Sequence, residues 1–283
     1  MKASDFAYEC PSSLTEALGL LAEADIDTRA LAGGQSLMPM MNFRLAQPER
    51  LLDLNRIEEL RFIRETHDAV EIGAMTRMAE LEQSTLVSTH QPLIAKALPF
   101  IAHPAIRNRG TVGGSLALAD PAAELPAIAL ALDAQIHVAS HAGSRIIASQ
   151  DCFLGPYETA LADDELIELI YFPKATPDQK FAFYEIARRH GDYAMAGVAV
   201  AIRGAPAIAD ARVAFFGISD RAVRAEACET ALVGQALSDQ AAVTAALEQV
   251  GQLSCFGDLH ADVATKQHLS RVVLKRALAE LNS

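Results

Sequence analysis

The sequence predicts an α+β chain in two unequal parts, and three observations predict it. Strand-like and helix-like patterns alternate as far as Pro173, with Gly-Gly pairs at residues 33–34 and 113–114 set into otherwise apolar stretches. Pro173 and Pro177 then bracket a break in the pattern. Past the break, three strand candidates run in succession and three helical segments close the chain, the order of a small α+β domain with an antiparallel sheet. The boundary is placed at residues 173–180.

Taken in order, Ser13-Leu-Thr-Glu16 has the form of a capping box, and Leu14, Leu18 and Leu21 recur on one helical face, which predicts a helix over residues 13–24. The run RALA ends at Gly33-Gly34, and a loop with methionines and a proline leads to the strand-like LLDL at residues 51–54. RFIRE and AVEIGAM predict paired strands around the turn Thr66-His67-Asp68, and TRMAELEQS and QPLIAKALPFIA predict helices. ELPAIALALDAQIHVAS reads as a helix running into a strand, SRIIAS as its hairpin partner, and ELIELIYFP as a strand stopped by Pro173. FAFYEIARR, AGVAVAIRG and IADARVAFFGIS predict the later meander, and RAVRAEACETALVG, SDQAAVTAALEQVG and HLSRVVLKRALAEL the closing helices.

Composition excludes several classes. A formal net charge of −12 opposes a nucleic-acid or anionic-membrane surface, since phosphates are held mainly by clustered Lys and Arg. No signal-peptide core is visible and no run approaches about 18 uninterrupted apolar residues, so the cytoplasm is the expected compartment. Cys10, Cys152, Cys228 and Cys255 stand far apart without a C-x-x-C pair, and His103, His190 and His260 have no ligand spacing. No metal site is expected on this chain.

The glycine pairs admit two readings. Glycine is the default wherever a turn needs positive φ, so GGQS and GGS can be two ordinary turns. Alternatively, successive backbone N–H groups in such turns form an anion-binding concavity, with hydroxyls from Thr111, Ser36 or Ser115 adding donors, and two loops could clamp one diphosphate. The chain has no G-x-G-x-x-G after a first strand and no G-x-x-x-x-G-K-[ST], so neither a Rossmann site nor a P-loop is expected.

AGGQSLMPMMNFRLAQPERLLDL and IRNRGTVGGSLALADPAAELPAIALAL resemble the two flavin loops of the FAD-binding medium subunits of molybdenum hydroxylases, the family of carbon monoxide dehydrogenase and the bacterial nicotine and quinoline hydroxylases. The opening F-x-Y-x-x-P-x-S-L-x-E-A-L, DELIELIYFP, ARRHGDYAMAGVAV and the terminal RALAEL carry the resemblance over nearly the whole chain. It implies a two-subdomain FAD-binding fold of the vanillyl-alcohol oxidase type over residues 1–175, divided at about residue 55, and a C-terminal domain of carbon monoxide dehydrogenase flavoprotein type over 176–283.

The resemblance also implies site residues. Ala32, Gly33, Gly34, Gln35, Ser36 and Leu37, with Thr111, Gly113, Gly114 and Ser115, are expected around the diphosphate and ribityl chain of FAD, with glycine present because a Cβ would hold the phosphate away. Glu124 is expected near the ribose or flavin, while Asp120 can instead cap the following helix. Ile101 and Ile167 match apolar positions against a flavin or adenine ring, and Tyr193 matches a tyrosine that shields one flavin face. Arg188 and Arg189 read as interface or surface charges, and Tyr184 stands where some relatives carry a lysine.

By the same resemblance, a large partner subunit carries the molybdopterin cofactor, a small partner carries two [2Fe–2S] clusters, and the assembly is a dimer of heterotrimers. FAD is the only cofactor expected on this chain, and no side chain is expected to act as nucleophile or general base. A stand-alone flavin oxidoreductase is the first alternative, although the residues after 175 leave little room for a substrate pocket. A non-catalytic nucleotide-binding scaffold is the second.

Overall fold

The computed structural model describes residues 2–282, and its first layer is a small parallel sheet. β1 (Ala7–Glu9), β2 (Thr28–Leu31) and β3 (Arg50–Asp53) pair in the order β1-β3-β2. Parallel neighbours need crossovers, which α1 (Leu14–Leu21) and α2 (Leu37–Asn42) supply. The Ser13 hydroxyl accepts from the Glu16 N–H at 3.2 Å, while the Glu16 carboxylate accepts from Ser12 rather than Ser13, so the box reaches one residue further back. α1 stops short of residue 24 because the apolar stripe ends at Leu21 and the following AEAD is exposed. α2 is a correction to the expected loop. Its Pro39 lies in the first turn, where a missing N–H costs no helical hydrogen bond.

The second sheet is antiparallel throughout. It is built from β4 (Ile63–Glu65), β5 (Ala69–Gly73), β6 (Gln135–Ser140), β7 (Gly143–Ala148) and, beyond a separate hairpin of β8 (Phe153–Gly155) and β9 (Glu158–Thr159), β10 (Leu166–Pro173), in the order β4-β5-β10-β6-β7. Between β5 and β6 lie α3 (Met78–Gln83), α4 (Thr85–His90), α5 (Pro92–Ala97), α6 (Pro104–Arg107), α7 (Val112–Leu118) and α8 (Glu124–Ala131), and α9 (Ser149–Cys152) follows β7. α4 and α6 are not among the predicted helices: α4 is mostly polar, with Val87 its one buried residue, and α6 is a single turn of four residues.

The third sheet is the predicted meander: β11 (Gln179–Ala187), β12 (Ala194–Arg203), β13 (Asp210–Phe216) and the short β14 (Val223–Arg224), in sequential order. β14 occupies the start of the segment expected to be helical, so α10 (Glu226–Leu232) begins only after it. α11 (Gln240–Gln249) and α12 (Val263–Leu281) complete the chain, and the Asp262 carboxylate caps α12 by accepting from the Thr265 N–H at 2.7 Å.

Alternation along this sheet divides its side chains between two cores. Val198, Val200, Val213 and Phe215 pack with Cys228, Leu232, Val273, Leu274 and Leu278 of α10 and α12. Phe181, Phe183, Ala199, Ala201, Ala214 and Phe216 point the other way, into the same core as β5, β6, β10 and α8. α8 is apolar all round apart from Glu124, and all eight of its residues are buried, the pattern of a helix enclosed on every side. An aromatic series Phe100–Phe183–Phe216, with centroids 5.4 and 5.7 Å apart, crosses the same seam. The two parts of the chain therefore share a core.

Candidate functional site

Residues 32–37 leave β2 at its carboxyl end and turn into α2. Gly34 adopts φ 72°, which glycine permits cheaply, and the Gln35 amide donates to the Gly33 carbonyl at 2.9 Å. Among the described residues, none accepts a hydrogen bond from the backbone N–H of Gly33, Gly34, Gln35, Ser36 or Leu37, nor from the Ser36 hydroxyl. Five successive donors without acceptors, only partly exposed, are costly unless something negative lies against them.

Residues 111–115 differ in kind. They are the N-cap and first turn of α7, so the expected second loop is a helix start. Gly113 and Gly114 lie within α7, and neither has positive φ. The N–H groups there are already used: Val112 donates to Thr76 O (3.0 Å), Gly113 to Ala74 O (2.8 Å), Gly114 to Thr111 Oγ1 (3.1 Å) and Ser115 to Thr111 O (3.1 Å). The glycines serve close approach instead. A Cβ on Gly113 would stand 2.5 Å from Ala74 Cβ, and one on Gly114 would stand 2.7 Å from Thr111 Oγ1 and 3.3 Å from Ala32 Cβ.

The two segments touch. A Cβ on Gly33 would lie 2.4 Å from the Arg109 carbonyl oxygen and 2.9 Å from Gly110 Cα, so only glycine lets segment 32–37 sit against the approach to α7. Polar side chains absent from the sequence reading tie them further. Asn55 Nδ2 donates to Ala32 O at 3.0 Å, and the Arg77 guanidinium donates to both Asn55 Oδ1 and Arg109 O. The Asp53 carboxylate accepts from the Asn55 N–H (2.9 Å) and the Tyr8 hydroxyl (2.5 Å), and these bonds with the nearby Arg109 charge hold it below the usual carboxylate range against the opposing effect of burial. The parallel register sets Leu31 beside Asp53 and so places Asp53-Leu-Asn55 next to Ala32, a neighbourhood that no local sequence signal marks.

The seam contributes a second group. Asp120 accepts from the Ala122 N–H at 2.9 Å and from the Tyr157 hydroxyl at 3.3 Å, shaping the turn into α8. Glu124, the first residue of α8, is buried; burial pushes its carboxyl up to about 7, its own backbone N–H opposes this, and the Asp120 charge adds to it. Glu185 on β11 is pushed up to about 8, by burial and then by Glu124, and its Oε2 is buried without a hydrogen-bond partner. Tyr193 is 70% exposed in the turn between β11 and β12, and burial, Asp120 and Glu124 raise its hydroxyl. The electrostatic influence of Asp120 and Glu124 on Tyr193 brings a residue of the C-terminal part to two acids of the first.

The remaining expected positions are less distinctive. Ile101 is partly buried and Ile167 buried, both against the main core, with Ile167 at a bulge where β10 shifts register against β6. Tyr184 lines a cavity of about 360 Å³ with Lys96, Phe100, Phe183, Glu185 and Glu280; its hydroxyl bonds Glu280, which pairs with Lys96 at 2.6 Å. Arg188 and Arg189 are exposed, with an Arg188 Nη1 3.4 Å from His260 Nδ1. Among the described residues no group of three or more His, Cys, Asp or Glu is arranged to hold a metal ion, and no helix is long and apolar enough to cross a membrane.

This donor set fits a dinucleotide diphosphate: unpartnered N–H groups and a free hydroxyl on 32–37, the free Ser115 hydroxyl, the Arg109 charge nearby, and a contact at Gly33 that a Cβ would fill. The comparisons with known proteins agree. Residues 4–175 match the FAD binding domain in molybdopterin dehydrogenase, and residues 181–281 match the CO dehydrogenase flavoprotein C-terminal domain. The nicotine 6-hydroxylase medium subunit of Paenarthrobacter nicotinovorans is 39% identical over 281 residues, 99% of this chain and 98% of its own length. The carbon monoxide dehydrogenase medium chain of Hydrogenophaga pseudoflava is 38% identical over 274 residues, 96% of each chain. Among solved structures, carbon monoxide dehydrogenase from Hydrogenophaga pseudoflava, in a form lacking the Mo-pyranopterin moiety, superposes with a TM-score of 0.96 at 38% identity over 99% of this chain and 98% of that one. Quinoline 2-oxidoreductase from Pseudomonas putida 86 gives 0.94 at 34% identity, over 100% and 98%.

Fold and site together define a flavoprotein component of an oxidoreductase. The chain belongs to the FAD-binding medium subunits of the molybdopterin dehydrogenases. FAD is the cofactor of this subunit, and the Mo-pyranopterin and iron–sulfur cofactors of such complexes reside on their other subunits.

Proposed function

We propose that this chain binds FAD with its diphosphate across residues 32–37 and 111–115 and delivers electrons, received from two [2Fe–2S] clusters on a small partner subunit, to an external acceptor. The assembly is a cytoplasmic dimer of heterotrimers whose large subunit carries the molybdenum centre and the substrate site. The observation that carries the reading is the run of five backbone donors on 32–37 with no acceptor among the described residues. When bound, FAD supplies exchange between one-electron and two-electron carriers.

The chain's own residues bind and shield. Gly33 to Leu37 donate to the diphosphate, Ser36 and Ser115 add hydroxyls, and Thr111 keeps the start of α7 closed by accepting from Gly114. Glu124 accepts hydrogen bonds from hydroxyls or a ring N–H, and its high affinity for a proton lets it hold one in the seam near neutral pH. Ile101 and Ile167 present apolar surface, and the exposed Tyr193 covers one ring face and regulates acceptor access. Tyr184, uncharged at neutral pH, leaves that position without the positive charge a lysine would bring.

The test uses the chain alone and with its partners. Purified alone, it should carry a visible flavin spectrum that substrate does not bleach; bleaching should require the large and small subunits. Bleaching by the isolated chain would favour a stand-alone oxidoreductase, and the absence of flavin would favour a scaffold.

A further inference from the structure

We infer that Arg77 and Asn55 form a relay that fixes the distance between the two glycine segments, making them positioning residues for the cofactor diphosphate. The inference rests on the FAD reading above. The relay has few links. Ala32 O accepts from Asn55 Nδ2 at 3.0 Å, Asn55 Oδ1 accepts from one Arg77 Nη, and the other Arg77 Nη donates to Arg109 O.

Both ends are anchored independently. Asn55 is held at the end of β3 by the Asp53 carboxylate, which the Tyr8 hydroxyl of β1 steadies in turn. The Arg77 backbone pairs with Thr111 in an antiparallel bridge, flanked by Met78 N–H to Gly110 O (3.0 Å) and Val112 N–H to Thr76 O (3.0 Å). Arg109 O is also the atom a Cβ on Gly33 would strike at 2.4 Å, so the relay secures the contact that glycine makes possible.

The reason for a relay lies in what segment 32–37 lacks. Its N–H groups from Gly33 to Leu37 have no acceptors among the described residues, so the donors that suit it for an anion do not also hold it in place. A segment ordered only on binding would charge that ordering against affinity; the relay orders it beforehand. Arg77 commits one N–H of each Nη to the Asn55 and Arg109 oxygens, which ties its guanidinium to both segments at once.

The experiment compares full-length wild type, Arg77→Met, Asn55→Leu and the double variant. FAD release, followed as the rise in flavin fluorescence on dilution, should be roughly tenfold faster or more in each single variant, in proportion to lost charge-assisted hydrogen bonds. ADP, which has the diphosphate but no flavin, should weaken by a similar factor. The double variant should release FAD no more than about twofold faster than the faster single, since both break one relay. Unchanged release, or a double variant equal to the product of the singles, would overturn the inference.

Hydrogen exchange on the flavin-free chains separates the inference from the reading beneath it. Protection at Met38 and Met40, which donate to Gly34 O and Ser36 O, and at Val112 and Gly113 should fall in both single variants. Unaltered protection overturns the relay even if FAD binds. A wild-type chain that takes up no FAD overturns the proposed function, while the exchange result still decides the relay. If Arg77→Met does not fold, Asn55→Leu breaks the relay from its other end and is read in the same way.

Discussion

In residues 32–37, Gly34 lies in the left-handed region and five consecutive N–H groups have no acceptor among the described residues; in residues 111–115, both glycines are helical and every N–H from Val112 to Ser115 is bonded within the protein. The same short spelling, Gly-Gly followed by Ser and Leu within a few residues, therefore answers two physical demands. In the first segment glycine permits a backbone shape that aims donors outward. In the second it removes side chains so that α7 can lie against Ala74 and Ala32. The second is also the platform on which the first rests.

The comparison is broken most directly by adding a methyl group to each segment. Gly113→Ala drives a Cβ into Ala74 with backbone behind it and should lower the stability of the flavin-free chain by roughly 2–3 kcal/mol, seen as a fall in its thermal midpoint. In Gly34→Ala the new Cβ meets only the Leu31 and Met38 side chains at 3.3 Å, and the positive φ should cost about 1–2 kcal/mol. If Gly34→Ala proved the more damaging to the flavin-free chain, the division into shape and spacing would be wrong.

Glu124 comes next. A folded-state value near 7 against 4.5 when unfolded means that the native chain binds the extra proton, so its favourable contribution is complete below about 4.5 and disappears as pH rises through 7. Glu124→Gln should therefore stabilise the flavin-free chain at pH 8, by on the order of 2 kcal/mol, and flatten the decline of stability between pH 5 and 8. Parallel denaturation curves for variant and wild type across that range would show that Glu124 is not held protonated.

Smaller effects sharpen the contrast. Thr111→Val removes the oxygen that accepts from Gly114 N–H and should cost about 1 kcal/mol, whereas Thr111→Ser should recover most of it; equal losses in chemical denaturation would mean that the cap contributes nothing. Tyr193→Ala should leave stability within about 0.5 kcal/mol, because the side chain is 70% exposed, yet change the rate of flavin reoxidation. Unchanged stopped-flow reoxidation would remove Tyr193 from the control of acceptor access.

Much of this architecture is legible in order of residues. The end of β10 at Pro173, the meander, the Ser13 cap and the apolar α8 follow from spacing alone, since each is a local pattern that one element must satisfy. Some short elements were not legible: α2 reads as a Met- and Pro-containing loop because Pro39 sits inside it, and the two-residue β14 reads as the start of a helix. Asn55, Arg77 and Glu185 carry no motif, because their roles arise from residues far away in the chain.

Residue order alone was enough to relate this chain to the FAD-binding medium subunits, through the two glycine-bearing stretches and the motifs around them. Which segment offers donors and which offers room became visible only in the folded chain. That difference depends on where each N–H finds its acceptor, on Ala74, Thr76 and Thr111 for one segment and on nothing in the described protein for the other. Hydrogen-bond partners across sheets and helix starts are set by packing, which no local spelling records.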